Sequence, residues 1–161
     1  MKVCIIAIGQ KMPSWAQQAF DDYAKRMPPE WKFACKALKA EPRSSGTSTA
    51  KVMQAEAERI VQAIASLGKS TCVVVLDEHG KGQTTQQLAQ FITAVQEQGQ
   101  GENLAFIIGG ADGLDPSVKA AAQRQIRVSD MTLPHAMVRV LLTEQIYRAW
   151  SLAAGHPYHR E

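Results

Sequence analysis

The chain has 161 residues, the length of one domain, and its 45% hydrophobic and 20% charged content is ordinary for a soluble globular protein. No apolar run approaches the ~18 residues of a membrane span, so we expect neither a membrane segment nor a signal peptide. The net charge of +3 is too small to indicate a nucleic-acid binder by itself.

The charge is distributed unevenly along the chain. Residues 1–51 hold nine Lys or Arg and four Asp or Glu, a balance of +5, whereas nine basic and eleven acidic residues give the remainder −2. A solvated surface is the better explanation for any single lysine. The excess as a whole fits an electrostatic footprint for phosphate groups.

The cysteines and histidines favour a reduced protein without a metal. Cys4, Cys35 and Cys72 are odd in number and widely spaced, which is typical of buried thiols in a cytoplasmic protein. The chain has no CxxC pair and no HExxH motif, and no cysteine lies near His156 and His159. We therefore predict that no metal is bound.

Strand-like and helix-like segments alternate from the start of the chain. A β-rich run over residues 3–8 is followed by a helix that opens at Pro13-Ser14. A half-exposed strand over residues 31–38 comes next, then a linker-like loop at 40–48 and an amphipathic helix over 49–67. Arg43 makes this loop a candidate phosphate contact.

The second half repeats the alternation. The apolar run 71–76 predicts a strand covered on both faces, and Thr84 with Gln87 forms a capping-box pattern that starts a helix. A second buried strand spans 104–108, and a short helix begins at Asp115-Pro116. A third strand covers 126–128, and the last helix runs from Pro134 until Gly155 and Pro157 stop it.

This order predicts an α/β fold with a mainly parallel sheet and helices on its faces. The sequence shows no internal repeat and no second domain, so we expect one domain over residues 1–161. Periodicity leaves the strand order open.

Three irregular segments follow strands at the edge where parallel sheets bind ligands. They start at Asp77, Gly109 and Ser129. The glycines at 109, 110 and 113 fit equally a tight turn and a close backbone approach to a ligand. The pattern is not GxGxxG, which disfavours a dinucleotide site, although Asp130 lies about where a ribose-binding acid would sit and keeps a dehydrogenase as a weak rival.

The last helix and the tail carry further polar chemistry. His135 stands at the helix start, where a capping role and a ligand contact are both open. Arg139 and Arg148 lie on an apolar helix and need a buried carboxylate such as Glu144, or a phosphate at a subunit seam. The tail GHPYHRE adds a phenol, an imidazole and a guanidinium, yet on general grounds we expect it to fray.

The stretch TLPHAMVRVLLTEQIYRAWSLAAGHPYHRE, with IIGGADGL before it and IGQKMPSW near the start, resembles the RlmH (YbeA-like) family of the SPOUT superfamily. The similarity covers the whole chain. It implies a C-terminal trefoil knot, a homodimer, and methylation of N3 of a pseudouridine in 23S rRNA with S-adenosylmethionine, within the ribosome or its large subunit. A rival from another class is a non-catalytic rRNA-binding adaptor with the same fold.

The resemblance also implies site residues. The three strand-end loops become the cofactor pocket, with contacts from Leu76, Asp77, Gly109, Gly110, Ser129, Asp130, Met131, Thr132, Leu133 and Pro134. We expect His135 and the tail residues Tyr158, His159 and Arg160 to be catalytic, the tail acting at the partner's pocket. Relatives tend to have GGPEG where this chain has GGADG, so we assign no role to Asp112.

Overall fold

The computed structural model describes residues 1–98 and 102–160. Its strands are β1 (Val3–Ile8), β2 (Ala34–Leu38), β3 (Thr71–Gly82), β4 (Asn103–Ile108) and β5 (Arg124–Arg127). Its helices are α1 (Ser14–Ala24), α2 (Thr49–Ala65), α3 (Thr85–Glu97), α4 (Pro116–Ala121) and α5 (His135–Ala154), with 3₁₀ turns at Pro29–Trp31 and Pro157–Arg160.

The strands form one parallel sheet with the order β2-β1-β4-β3-β5. The α/β architecture predicted from the sequence is thus confirmed. Because every strand runs the same way, the carboxyl ends of β3, β4 and β5 meet at one edge. The site described below lies at that edge.

Helices cover both faces of the sheet, as the alternation along each strand requires. One face packs on α1, α3 and α5, with Ile5, Val74 and Phe106 at its centre. The other packs on α2 and α4, with Ile6, Val75 and Ile107. All six residues of β1 and all six of β4 are buried.

Strand β3 is longer than the apolar run that predicts it. Pairing with β5 shifts between Leu76 and Lys81, both of which lie opposite Ile126, so the intervening residues form a bulge. A Cβ at Gly80 would lie 2.6 Å from the carbonyl carbon of Ile126, and only glycine fits there. The predicted strand end at Leu76 is therefore the start of a bulge, and the strand resumes to Gly82.

Within the described residues, no helix is both long and apolar enough to cross a membrane. In the same residues, no group of three or more His, Cys, Asp or Glu is placed to hold a metal ion.

Candidate active site

A cavity of about 600 Å³ opens at the carboxyl ends of β3, β4 and β5. This volume is in the range of small-molecule sites in proteins. Eight of the ten residues predicted to bind the cofactor line it: Leu76, Asp77, Gly109, Gly110, Ser129, Met131, Thr132 and Leu133. His135 also lines the cavity, so the geometry joins one predicted catalytic residue to the three predicted loops.

The other two predicted residues lie beside the cavity without lining it. The carboxylate of Asp130 accepts a hydrogen bond from Nε of Arg127 at 2.6 Å and is largely exposed. Pro134 is the residue before α5, where its fixed φ suits the entry to a helix.

The bulge of β3 supplies the first wall. Asp77 is ion-paired with Lys119 of α4 at 3.2 Å, whereas Glu78 and His79 are exposed and lie 3.3 Å apart. Thus Asp77 and Glu78 do not converge as a paired-carboxylate site would require. Asp77 is instead paired with Lys119, which also lines the cavity.

The glycine loop after β4 supplies the second wall, and the protein's own packing requires both of its first two glycines. A Cβ at Gly109 would lie 2.9 Å from the side chain of Leu114, and one at Gly110 would lie 2.8 Å from Oε1 of Glu56. Gly113 has φ of +86°, which favours glycine for conformational reasons. A tight turn therefore explains these glycines without a ligand, and it also exposes their backbone to the cavity.

The loop at residues 39–48 is tied to this glycine wall. Arg43 forms an ion pair with Asp112 at 2.7 Å, and the backbone N–H of Glu41 donates to Oε2 of Glu56 at 3.0 Å. The guanidinium that the sequence offers as a phosphate contact thus has a carboxylate partner in this structure. Asp112, to which we assigned no role, anchors the loop.

His135 lies at the first turn of α5 with its ring against Gly9, where an added Cβ would be 3.5 Å from Cε1. Its Nε2 is buried and has no hydrogen-bond partner among the described residues. Burial lowers the pKa of His135, and the nearby charge of Arg139 lowers it further. The imidazole is therefore neutral at physiological pH.

The tail does not fray. Pro157–Arg160 forms a 3₁₀ turn that packs back on α5, and Tyr158 is 8% exposed among the rings of Tyr23 and Tyr147. The expectation of a frayed end was wrong because these rings, far away in sequence, give Tyr158 an apolar site. The last residue of the motif, Glu161, lies outside the described residues.

Polar contacts fix this turn. The hydroxyl of Tyr158 donates to Oε1 of Glu144 at 3.0 Å, and Nε of Arg148 donates to the same oxygen at 2.8 Å. The sequence offered Glu144 as a carboxylate partner for the arginines of this helix, and in the structure Arg148 binds it. Burial raises the pKa of Tyr158, so its phenol remains a proton donor.

The other two predicted catalytic residues of the tail, His159 and Arg160, are less buried than Tyr158. Arg160 is exposed, and His159 is half-buried with an Nδ1 that has no hydrogen-bond partner among the described residues. The exposed guanidinium of Arg160 is thus accessible to a ligand or to another chain.

One chain does not bring the four predicted catalytic residues together. His135 is the first residue of α5, and the tail follows its last residue, Ala154. The tail turn packs back beside Glu144, nine residues after His135, so about 13 Å of helix separates them, and none of Tyr158, His159 and Arg160 lines the cavity.

Comparison with known proteins identifies the family. Residues 1–159 match the family described as Predicted SPOUT methyltransferase. The chain belongs to the SPOUT methyltransferase family. A protein of Variovorax paradoxus named Ribosomal RNA large subunit methyltransferase H is 58% identical over 161 residues, the full length of both chains. Proteins of the same name from Acidovorax sp. and Cupriavidus metallidurans are 58% and 52% identical, over 100% and 99% of both chains.

Membership of the SPOUT family gives the observed sheet and cavity a functional meaning. SPOUT proteins transfer methyl groups, and the family implies a trefoil knot in the C-terminal part of this α/β fold. General packing rules alone would not predict a knot, because threaded chains are almost absent from proteins.

Two buried charged residues lie beside the SPOUT cavity, of which the sequence analysis missed Glu56 and left the partner of Arg139 open. Glu56 is 5% exposed beneath Gly110, and Arg139 is 3% exposed behind His135. The sequence does indicate that Glu56 is buried, because it stands between Val52 and Ile60 at four-residue spacing on the apolar face of α2. Arg139 was noted as needing a partner, but its true neighbours, Gly9 and His135, emerge only from the fold.

Proposed function

We propose that this protein methylates N3 of a pseudouridine in 23S rRNA, within the large ribosomal subunit or the ribosome, using S-adenosylmethionine. The observation that carries the proposal is the full-length match to proteins named Ribosomal RNA large subunit methyltransferase H. The cavity at the carboxyl ends of three parallel strands supports it, because open parallel sheets bind ligands there.

The residues of the cavity fit this cofactor. Leu76, Ile108 and Leu114 provide apolar contact for a planar base, and the backbone of the glycine loop provides donors and acceptors. The carboxylates of Asp77 and Asp112 also line the cavity, each already paired with a cation of the protein, Lys119 and Arg43. When bound, S-adenosylmethionine supplies an electrophilic methyl group on a sulfonium, and the chain's own part is to orient it and exclude water.

We propose that the active unit is a homodimer. None of Tyr158, His159 and Arg160 lines the cavity of its own chain, and the bond from Tyr158 to Glu144 holds the turn against the middle of α5. In a two-fold dimer each tail can instead close over the partner's cavity. His159 and Arg160 would then face the target base, while Tyr158 holds the turn in place through Glu144.

The tail's side chains suit the chemistry of the target. The imide N3–H of a uracil-type base must lose its proton before nitrogen can attack a methyl group, so a proton acceptor and a cation both help. We assign the cation, or a phosphate contact, to Arg160. The imidazole of His159 is a candidate acceptor near the base. Tyr158 stays protonated at neutral pH, because burial raises its pKa, so it does not serve as the proton acceptor.

The basic N-terminal third is the proposed rRNA contact. Its excess of +5 over residues 1–51 suits phosphate binding, which positions a protein on RNA without reading sequence. The shape of the ribosome then selects the nucleotide. We further propose that residues 1–161 form one methyltransferase domain, and that it works in the cytoplasm, where its rRNA substrate is found.

The test is transfer of a labelled methyl group to ribosomes that lack the modification, followed by mapping of the labelled base. We expect label on one pseudouridine of 23S rRNA. The double variant H159A/R160A should lose about 100-fold or more in turnover and keep its affinity for S-adenosylmethionine within about twofold.

Lys69→Ala is the matched control. Lys69 is an exposed cation just before β3, at the sheet edge opposite the cavity, and its loss should leave turnover unchanged. A wild-type protein that binds the ribosome without binding S-adenosylmethionine would be an adaptor and would refute the proposal. If H159A/R160A had equal, small effects on turnover and on affinity for S-adenosylmethionine, the tail would have no catalytic role.

A further inference from the structure

A buried cation without a carboxylate partner stands directly behind His135. Arg139 is 3% exposed, and its Nη2 donates to the carbonyl of Gly9 at 2.9 Å. Its Nε is buried without a hydrogen-bond partner, and no ion pair found among residues 1–98 and 102–160 includes it. Burying a guanidinium in this way is costly unless an anion arrives.

The position of Arg139 relates it to the cavity. It lies four residues after His135, on the same side of α5, and both side chains contact Gly9 at the end of β1. His135 lines the cavity, whereas Arg139 does not. The guanidinium of Arg139 therefore affects the cavity through its contact with the region of His135 and through the electrostatic potential of its charge.

His135 itself has the form of a proton acceptor. It is neutral, and its Nε2 is buried without a partner among the described residues. A neutral imidazole that carries its proton on Nδ1 can accept another on Nε2. The positive end of α5, a 20-residue helix, adds to the positive potential at this point.

We propose that the His135 ring turns when the target base binds, so that its Nε2, buried in the free protein, accepts the imide proton, and that Arg139 is the fixed positive charge that stabilises the resulting anion. This inference rests on the proposed function and gives it a proton acceptor inside the cavity. His135 is then the catalytic residue, and Arg139 a positioning residue that acts through it. His159 is left to orient the base.

The electrons and protons balance without a further reagent. The N3–H bond breaks and its proton moves to Nε2 of His135. The N3 electron pair forms the bond to the methyl carbon, and the pair of the broken carbon–sulfur bond stays on sulfur. The imidazolium formed beside Arg139 is disfavoured by like charge, so it returns its proton to solvent.

Other charges near this pair are largely compensated. Asp77 is paired with Lys119, Asp112 with Arg43, and Arg127 with Asp130. Glu78 and His79 pair with each other at the exposed rim. Cys35 of β2 lies near Arg139, and burial raises the pKa of its thiol, so it is uncharged. Arg139 thus remains the buried charge without a counter-ion beside His135.

Two substitutions separate charge from packing. R139K keeps the charge and a donor for Gly9, whereas R139Q keeps a donor without the charge. We expect R139K to turn over within about threefold of wild type, and R139Q to lose about tenfold or more at neutral pH and to recover with rising pH. Affinity for S-adenosylmethionine should stay within about twofold in both.

A second readout needs neither turnover nor cofactor. In NMR titrations, the His135 ring should titrate below the ordinary value of about 6.5 in wild type and in R139K, and closer to it in R139Q. Equal losses in R139K and R139Q, or the same His135 titration in both, would overturn the inference.

Wild type alone also tests the idea if the variants do not fold. Its turnover should fall at low pH with the midpoint of the His135 titration, and a turnover that ignores this midpoint would refute the role of His135. A wild-type protein that transfers no methyl group at all would refute the proposed function instead, so the two failures are distinguishable.

Discussion

Gly110 both lines the cavity and packs against the buried carboxylate of Glu56. Gly110 touches Glu56 from above, and Glu56 in turn accepts a hydrogen bond from the backbone of Glu41. The carboxylate therefore links the glycine wall to the loop at 39–48. A change of one methyl group at this point disturbs three segments.

We expect G110A to lower the free energy of unfolding by about 1–3 kcal/mol, because its Cβ would lie 2.8 Å from Oε1 of Glu56 and 3.1 Å from Cγ2 of Ile8. Urea unfolding measures the loss. Gly82→Ala is the control, since the nearest atoms there belong to the flexible end of Arg127. A G110A protein as stable as G82A would show that Glu56 moves aside freely.

At the scale of elements, α5 connects the two halves of the proposed site. Its first turn carries His135 at the cavity, and its middle turns carry Glu144 and Arg148, which hold the tail. Its buried residues point to both sides of the helix. An element of this kind must keep its length, because the tail's position depends on it.

The buried phenol of the tail makes stability depend on pH. The pKa of Tyr158 is raised on folding, so the unfolded chain ionises first and the free energy of unfolding falls as the pH rises above about 10. Y158F should cost about 1–2 kcal/mol at neutral pH through the lost bond to Glu144. The difference between wild type and Y158F should shrink above pH 10, and a constant difference in urea titrations would contradict the assignment.

The sequence predicts the elements better than it predicts their ends. The buried run 104–108 forms a strand as predicted, and so does the capping box of Thr84 and Gln87 at the start of α3. The extension of β3 was missed because Asp77, Glu78 and Gly80 favour turns, while pairing with β5 decides the outcome. The burial of Tyr158 depends on rings of α1 and α5, which no local pattern shows.

At the scale of the whole molecule, the proposed site is divided between two copies. Each site needs intact cavity loops from one chain and an intact tail from the other. A variant with a defect in either part is therefore inactive as a homodimer. Separate halves allow a test by complementation.

Co-expression of H135A with H159A/R160A should restore about a quarter of wild-type turnover, since half of the dimers are mixed and one of their two sites is intact. Each variant alone should be nearly inactive. Co-expression of H159A with R160A is the control, because neither chain supplies an intact tail. Mixed dimers, purified by two different tags, that show no more turnover than their parents would refute the shared site.

The two outer strands of the sheet determine how the molecule behaves in a crowded solution. β5 has four residues, two of them arginines, and its neighbour β3 is bulged; β2, at the other edge, carries Lys36 in its middle. Short, charged or distorted borders are poor templates for another strand. We expect the protein to stay dispersed at high concentration, because its parallel ladder offers no flat border at which amyloid-like growth could begin.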